Sequence, residues 1–236
     1  MTPAKPVNLP LFDPRLVPVR GTDHHLAGVA LECLTPQALR QRFHYPPRWR
    51  PEHSVEKKFS DRATAPAAVL LPLVMREELT LLLTERATGL STHSGQIAFP
   101  GGRTDATDRD AVDTALREAQ EEIGLPPQHV EVLGSLPTYV TGTAFVITPV
   151  VGLVTPGFEL RPNPGEVADV FEVPLGFLMN PAHHRHHETE FDGVLRQWLS
   201  MPYAEPLAAA DSPMRERFIW GATAGMLRNF YRFLSA

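Results

Sequence analysis

"TALREAQEEIGL", Thr114–Leu125, places Glu118, Glu121 and Glu122 within five positions of a segment that ends at a glycine. Val112, Ala115, Leu116, Ala119 and Ile123 recur at helical period, which predicts a helix over residues 111–123. Asp108 or Asp110 can cap its start, and Gly124 can end it in the left-handed conformation. On such a helix Glu118 and Glu122 lie one turn apart with Glu121 beside them, all directed away from the apolar stripe. Like charges at that spacing cost only about 0.2–0.5 kcal/mol per pair. An open, solvated surface tolerates that cost, and a bound cation removes it; these residues alone leave both readings open.

The neighbouring sequence favours a cation. Clustered carboxylate oxygens suit hard divalent ions, Mg²⁺ or Mn²⁺. "FPGGRTD", Phe99–Asp105, precedes the helix and can offer the backbone of Gly101 and Gly102 to a metal or ligand. Arg117 can aim one carboxylate through a bidentate pair. Together these describe a site for divalent metals and a substrate phosphate.

Further out, "APAAVLLPLV" (65–74) and "LTLLLTERA" (79–87) are predicted as adjacent strands joined by a tight turn. "VEVLGSL" (130–136) and "AFVITPVVGLV" (144–154) are predicted strands too, and "VADVFEVPL" a strand leading into a short helix. "IWGATAGMLRNFYRFL" (219–234) is predicted as a packed terminal helix that includes Trp220 in the core. "NPAHHRHHETEFDG" is expected to be an exposed excursion, with His183, His184, His186 and His187 as surface histidines rather than a zinc site, because no cysteine is near. "VLRQWLSM" fits a strand. Residues 1–64, irregular and proline-rich, are expected to be an arm or cover around a domain spanning 65–236; in them Thr35 can cap a short helix beginning at Pro36.

The 236 residues carry a formal net charge of -5, which argues against a nucleic-acid partner held by phosphate contacts. An anionic substrate would need a cation or local arginines. Cys33 is the single cysteine, so no intrachain disulfide exists, and it is expected to be a partly buried small side chain. The N-terminus lacks the continuous apolar run of a signal peptide, and no stretch approaches the roughly 18 apolar residues of a spanning helix. A soluble cytoplasmic protein without a membrane partner is the expectation. Exposed aromatics in the arm fit a homodimer and intrachain packing equally.

Gly102, Arg117-Glu118, Glu121-Glu122 and Gly124-Leu125 resemble the Nudix box, Gly-x5-Glu-x7-Arg-Glu-apolar-x-Glu-Glu-x-Gly-apolar. That resemblance implies a loop–helix–loop within an α/β/α sandwich built on a mixed sheet. Fourteen residues separate Gly102 from Arg117 here, against thirteen in the general form, so the first acidic position falls on Asp108 counted forward and on Arg109 counted backward. The spacing is similar to the coenzyme A pyrophosphatase branch, which carries a second signature upstream. Leu82-Leu83-Thr84, Arg86-Ala87, Gly95 and Phe99-Pro100-Gly101-Gly102 match it, while Ser91 stands where the branch has a second arginine. The likeness covers roughly residues 65–235.

The resemblance implies metal-dependent hydrolysis of the coenzyme A diphosphate, with acyl-CoA or CoA disulfide as related substrates, to 3′,5′-ADP and 4′-phosphopantetheine. Glu118, Glu121 and Glu122 would hold Mg²⁺ or Mn²⁺, with Arg117 orienting them. Glu166, in the loop before a strand, is a candidate base, and Glu121 or Glu122 are others. Arg86, His93, Gln96, Gly101 and Gly102 are candidate substrate contacts. The alternatives are hydrolysis of another nucleoside diphosphate derivative such as ADP-ribose, or a non-catalytic nucleotide-binding module.

Overall fold

A computed structural model describes residues 13–59, 63–87, 95–191, 193–206 and 214–236. In chain order its elements begin with Val19–Thr22 (β1), Pro36–His44 (α1), Ala65–Met75 (β2), Leu79–Arg86 (β3), Ile97–Ala98 (β4), Gly101–Arg103 (β5) and Ala111–Ile123 (α2). Val130–Ser135 (β6), Tyr139–Val140 (β7), Phe145–Val154 (β8), Val167–Pro174 (β9) and Leu175–Leu178 (α3) follow. Arg185–Phe191 (β10), Val194–Glu205 (β11), Arg215–Trp220 (β12) and Gly221–Leu234 (α4) complete it.

The continuous apolar run of β2 makes it a central strand buried on both faces. The larger sheet runs β4-β3-β2-β8-β6, with β5 alongside β2, β7 alongside β8 and β9 alongside β3. Its β2–β8 pair is parallel, from Ala65 opposite Phe145 to Val74 opposite Val154; the other pairs are antiparallel. Pro72 fits mid-strand for a reason. The Leu70 N–H points to the Pro100 carbonyl, so position 72 faces the same side, in the gap between the β5 and β3 pairings, where a missing N–H breaks no ladder bond.

α2 covers one face, packing Ala115, Ala119 and Ile123 onto Ala68, Leu70, Leu82 and Val150. α4 lies on the other side, with Leu227 and Phe230 in one core with Leu71, Leu81, Leu83 and Leu153. This is a mixed sheet between helices, the expected α/β class. The addition is a second, antiparallel sheet, β1-β10-β11-β12, whose Leu199 and Met201 join the α4 core.

That second sheet overturns the expected excursion. "RHHETEF" is strand β10, and His184 and His187 are buried. Nε2 of His184 bonds the Leu178 carbonyl at 2.8 Å and Nδ1 faces Arg228 Nη1 at 3.1 Å. His187 bonds Ser200 Oγ at 2.8 Å and the Val17 carbonyl at 3.0 Å. Local prolines and charges hid a strand whose buried histidine is satisfied by other elements, at Ser200 and Val17. Trp220 is half-buried at the end of β12 rather than inside the terminal helix, because residues 215–220 pair with β11. Cys33 is exposed.

Asp23, Glu52 and His53 are tied to α4 by charge and hydrogen bonds. Buried Arg228 on α4 pairs with Asp23 at 3.0 Å and Glu52 at 2.9 Å, and Asp23 also meets His186 at 2.7 Å. Asn229 Oδ1 accepts the N–H groups of Glu52 and His53. Replacing Arg228 by Met leaves two carboxylates without their cation, and urea unfolding at neutral pH is expected to show a loss of about 3 kcal/mol or more. Burial pushes the His184 imidazole down to about 4 from 6.5. Its neutral form contributes stability that is complete above about pH 6.5 and lost as pH falls toward 4. Glu52, pulled down to about 2 by His53 and Arg228, extends that loss to lower pH. The stability difference between wild type and His184→Gln, read from urea midpoints, is therefore expected to be flat above about pH 7 and to shrink below about pH 6.5, a comparison in which the oppositely directed titration of Glu122 cancels.

Candidate active site

Both ends of α2 are fixed. Asp110 Oδ1 accepts the Val112 and Asp113 N–H groups at 2.9 Å each, so Asp110 is the cap. Gly124, at φ 69°, ends the helix as the sequence predicts. The last carbonyls, of Glu122 and Ile123, accept the N–H groups of Asn163 and Arg161 at 2.8 Å each. The loop before β9 is thereby docked on the helix end. Asn163 closes its own turn through Oδ1 to the Gly165 N–H at 3.1 Å, and its carbonyl accepts the Glu166 N–H at 3.0 Å. The Glu166 carbonyl in turn accepts the Ala87 N–H at 2.8 Å, at the end of β3.

β5 lies against the acidic face of α2. A Cβ at Gly102 would fall 2.5 Å from the Glu118 carboxyl carbon, so only glycine allows that approach. The Gly101 N–H donates to Glu122 Oε2 at 3.0 Å. Arg86 Nη1 stands 3.9 Å from the other Glu122 oxygen, and the buried Arg86 Nε has no partner among the described residues.

Arg117 gathers the acids. It forks onto Asp108 with two bonds of 2.9 Å, and its Nη1 donates to Glu118 at 2.8 Å and Glu121 at 3.0 Å. Its Nη2 also donates to the Arg103 carbonyl at 3.1 Å, and Thr114 Oγ1 donates to Asp108 at 2.9 Å. The acid facing Arg117 is thus Asp108, the forward count. Arg109 instead pairs with Asp113 on the surface.

The electrostatics are those of crowded, desolvated carboxylates. Burial pushes Glu122 up to about 7, reinforced by the charges of Glu118 and Glu166 and only partly offset by the Gly101 N–H and Arg86. Burial also raises Glu118 against the pull of Arg117, with Glu121 and Glu166 adding to the rise. Asp108 is held well below the usual carboxylate range, chiefly by Arg117.

Of the two readings left open by helical spacing, the solvated face does not hold for Glu122: it is 5% exposed, because β5 covers that side of the helix. Glu118, Glu122, Arg117, Arg86, Gly101 and Gly102 come together around β5, Glu166 lies exposed in the adjoining loop, and Glu121 lies at the rim. Gln96 is half-buried, and its carbonyl accepts the Arg86 N–H at 3.0 Å. His93 and Ser91 lie outside the described residues. Sequence reasoning missed Asn163, although "NPGE" is a turn signature that points to it.

Among the described residues, no three His, Cys, Asp or Glu side chains gather closely enough to hold a metal ion as placed. Arg117 draws Glu118 and Glu121 to itself, and Gly101 holds Glu122. The donor set nevertheless fits a hard divalent cation. Two desolvated carboxylates, Glu118 and Glu122, sense each other and Glu166, beside a glycine strand that leaves room at Glu118.

A mixed sheet between helices, with an acidic helix laid against a glycine strand, defines the class as α/β with a loop–helix–loop site, and the chain belongs to the Nudix family, the NUDIX domain profile matching residues 64–218. Members hydrolyse nucleoside diphosphate derivatives and generally use divalent metal ions. The particular relatives are bacterial. The chain is 39% identical over 188 residues to a Pectobacterium atrosepticum protein named uncharacterized Nudix hydrolase NudL, covering 80% of this chain and 88% of that one. An Enterobacter sp. protein of the same name is 42% identical over 163 residues, covering 69% and 79%. Among solved structures, a C. elegans Ap4A hydrolase binary complex aligns with 17% identity and a TM-score of 0.41, over 50% of this chain and 86% of that one.

Asp108→Asn is expected to weaken the hold on Arg117 and cut metal affinity about 10–100-fold, measured by Mn²⁺ titration. Gly102→Ala is expected to displace the Glu118 carboxyl and reduce Mn²⁺ affinity similarly, with the unfolding midpoint separating this from misfolding.

Proposed function

We propose that the protein hydrolyses the diphosphate of coenzyme A, and of acyl-CoA or CoA disulfide, releasing 3′,5′-ADP and 4′-phosphopantetheine or its derivative. The observation that carries this reading is Arg86. It comes from the upstream stretch that resembles the coenzyme A branch, its Nη1 stands beside Glu122, and its buried Nε has no partner among the described residues. A guanidinium next to crowded carboxylates suits a diphosphate that arrives with divalent cations.

In this reading Glu118 and Glu122 hold Mg²⁺ or Mn²⁺, with Glu121 contributing at the rim. When bound, the cations supply positive charge at the diphosphate oxygens and acidify water. Arg117 keeps the carboxylates aimed while Asp108 keeps Arg117 in place. Arg86, Gln96, His93 and the Gly101–Gly102 backbone orient the substrate. Glu166 takes the proton of the attacking water at its carboxylate as the new P–O bond forms and the P–O–P bridge breaks. Residues 1–64 act as a cover and 65–236 as the Nudix domain, in a cytoplasmic enzyme.

A second reading, cleavage of another nucleoside diphosphate derivative such as ADP-ribose, is favoured by Ser91, which removes one cation from the coenzyme A signature. A single panel separates the two. Purified protein is mixed with CoA, acyl-CoA, ADP-ribose and nucleoside triphosphates, plus Mg²⁺ or Mn²⁺, and the products are resolved by ion exchange. The expected product is 3′,5′-ADP from CoA, lost with chelator and reduced about 10²–10³-fold in Glu122→Gln. Intact CoA beside cleaved ADP-ribose would overturn the substrate assignment.

A further inference from the structure

The geometry points to Arg217 as a positioning residue for the active site: with Arg215 it clamps the bulged end of the β3–β9 ladder, and the clamp sets where Arg86 and Glu166 stand. The inference rests on the proposed substrate-side roles of those two residues.

Glu85 and Asp169 lie directly opposite each other on β3 and β9. Like charges so placed push strands apart. Both carboxylates are bridged twice. Arg217 donates to Glu85 at 2.8 Å and to Asp169 at 2.6 Å, while Arg215 donates to each at 2.8 Å. The Arg217 side chain is 4% exposed, with Nε on Glu205 at 2.7 Å and its guanidinium 4.0 Å from the centre of the Phe171 ring. Both arginines come from β12, so the second sheet reaches into the edge of the first.

The rung after Glu85–Asp169 pairs Arg86 with Val167, and Ala168 is skipped. This bulge has a consequence for direction. In an unbroken strand Val167 would share the face of Asp169 and Phe171. The skipped residue turns it to the opposite face, where Val167 packs with Leu82 under α2. Arg86, two even steps beyond Leu82, lies on that same face and reaches Glu122. Glu166 comes next, tied by its carbonyl to Ala87. The doubly bridged rung is therefore the fixed point on the ladder side of the bulge, as the Asn163 turn docked on α2 is on the loop side. If it loosens, the bulge can move by one residue, and each residue it passes turns to the opposite face.

The test uses Arg217→Lys, which keeps the charge but cannot fork across two carboxylates. Arg215→Gln, at the exposed end of the clamp, is the milder second variant. Amide exchange is followed at Ala87 and along α4, and activity is measured in wild-type and Arg86→Gln backgrounds. Arg217→Lys is expected to speed Ala87 exchange about tenfold while α4 amides keep their rates, and to lower kcat/KM about 10–100-fold. In the Arg86→Gln background it should lower kcat/KM little further. Arg215→Gln should shift both readouts the same way by less. Unchanged Ala87 exchange, uniform acceleration of all slow amides, or fully multiplicative losses with Arg86→Gln would each overturn the proposal. If Arg86→Gln alone leaves kcat/KM intact, the assignment of Arg86 fails, and the exchange pattern at Ala87 then decides the clamp by itself.

Discussion

Glu122 lies almost fully buried on α2, one oxygen on the Gly101 amide and the other beside Arg86, with the charges of Glu118 and Glu166 close enough to push its proton affinity up. An ionised carboxylate out of water is costly unless partners surround it. Much of the architecture supplies those partners or keeps them in place. β5 must be glycine to lie against the acids. The 159–163 loop must satisfy the helix end, and β3 must deliver a guanidinium. The crowding that would be a defect on a plain helix surface becomes a reason to bind cations.

Among the described residues of this chain of net charge -5, arginine resolves acidic crowding in three clusters. Arg117 binds Asp108, Glu118 and Glu121 at the site, Arg217 with Arg215 binds Glu85, Asp169 and Glu205 between the sheets, and Arg228 binds Asp23 and Glu52 between arm and body. A forked guanidinium can hold two carboxylates at fixed separation, which an ammonium cannot. The Arg217 and Arg228 clusters join segments more than a hundred residues apart, while Arg117 joins its own helix to the loop at Asp108. The arginines therefore fix relative placement, while the apolar clusters on the two faces of the large sheet supply the bulk of the packing.

The elements legible in sequence were those whose signal is local. The apolar run of β2, the period of α2, the cap at Thr35 and the left-handed Gly124 all follow from a few adjacent residues. β10 and β12 were not legible. His187, Arg215 and Arg217 look like surface residues until Ser200, Glu85 and Asp169 are brought to them. At the site, helical spacing grouped Glu118, Glu121 and Glu122 but could not show that β5 buries Glu122 and leaves Glu121 at the rim.

What the sequence alone determined is the chemistry available: an acidic helix, a glycine strand before it, and the Arg-Glu…Glu-Glu-x-Gly pattern that identifies the family. Short-range spacing is enough for that, because one helix turn sets which carboxylates are neighbours. The tertiary structure decided which of two counts is correct, giving Arg117 to Asp108 and the helix cap to Asp110. It also decided that a bulge opposite Arg86 turns Val167 toward α2. Strand register and burial depend on partners tens of residues away, and no local pattern encodes the distance between them.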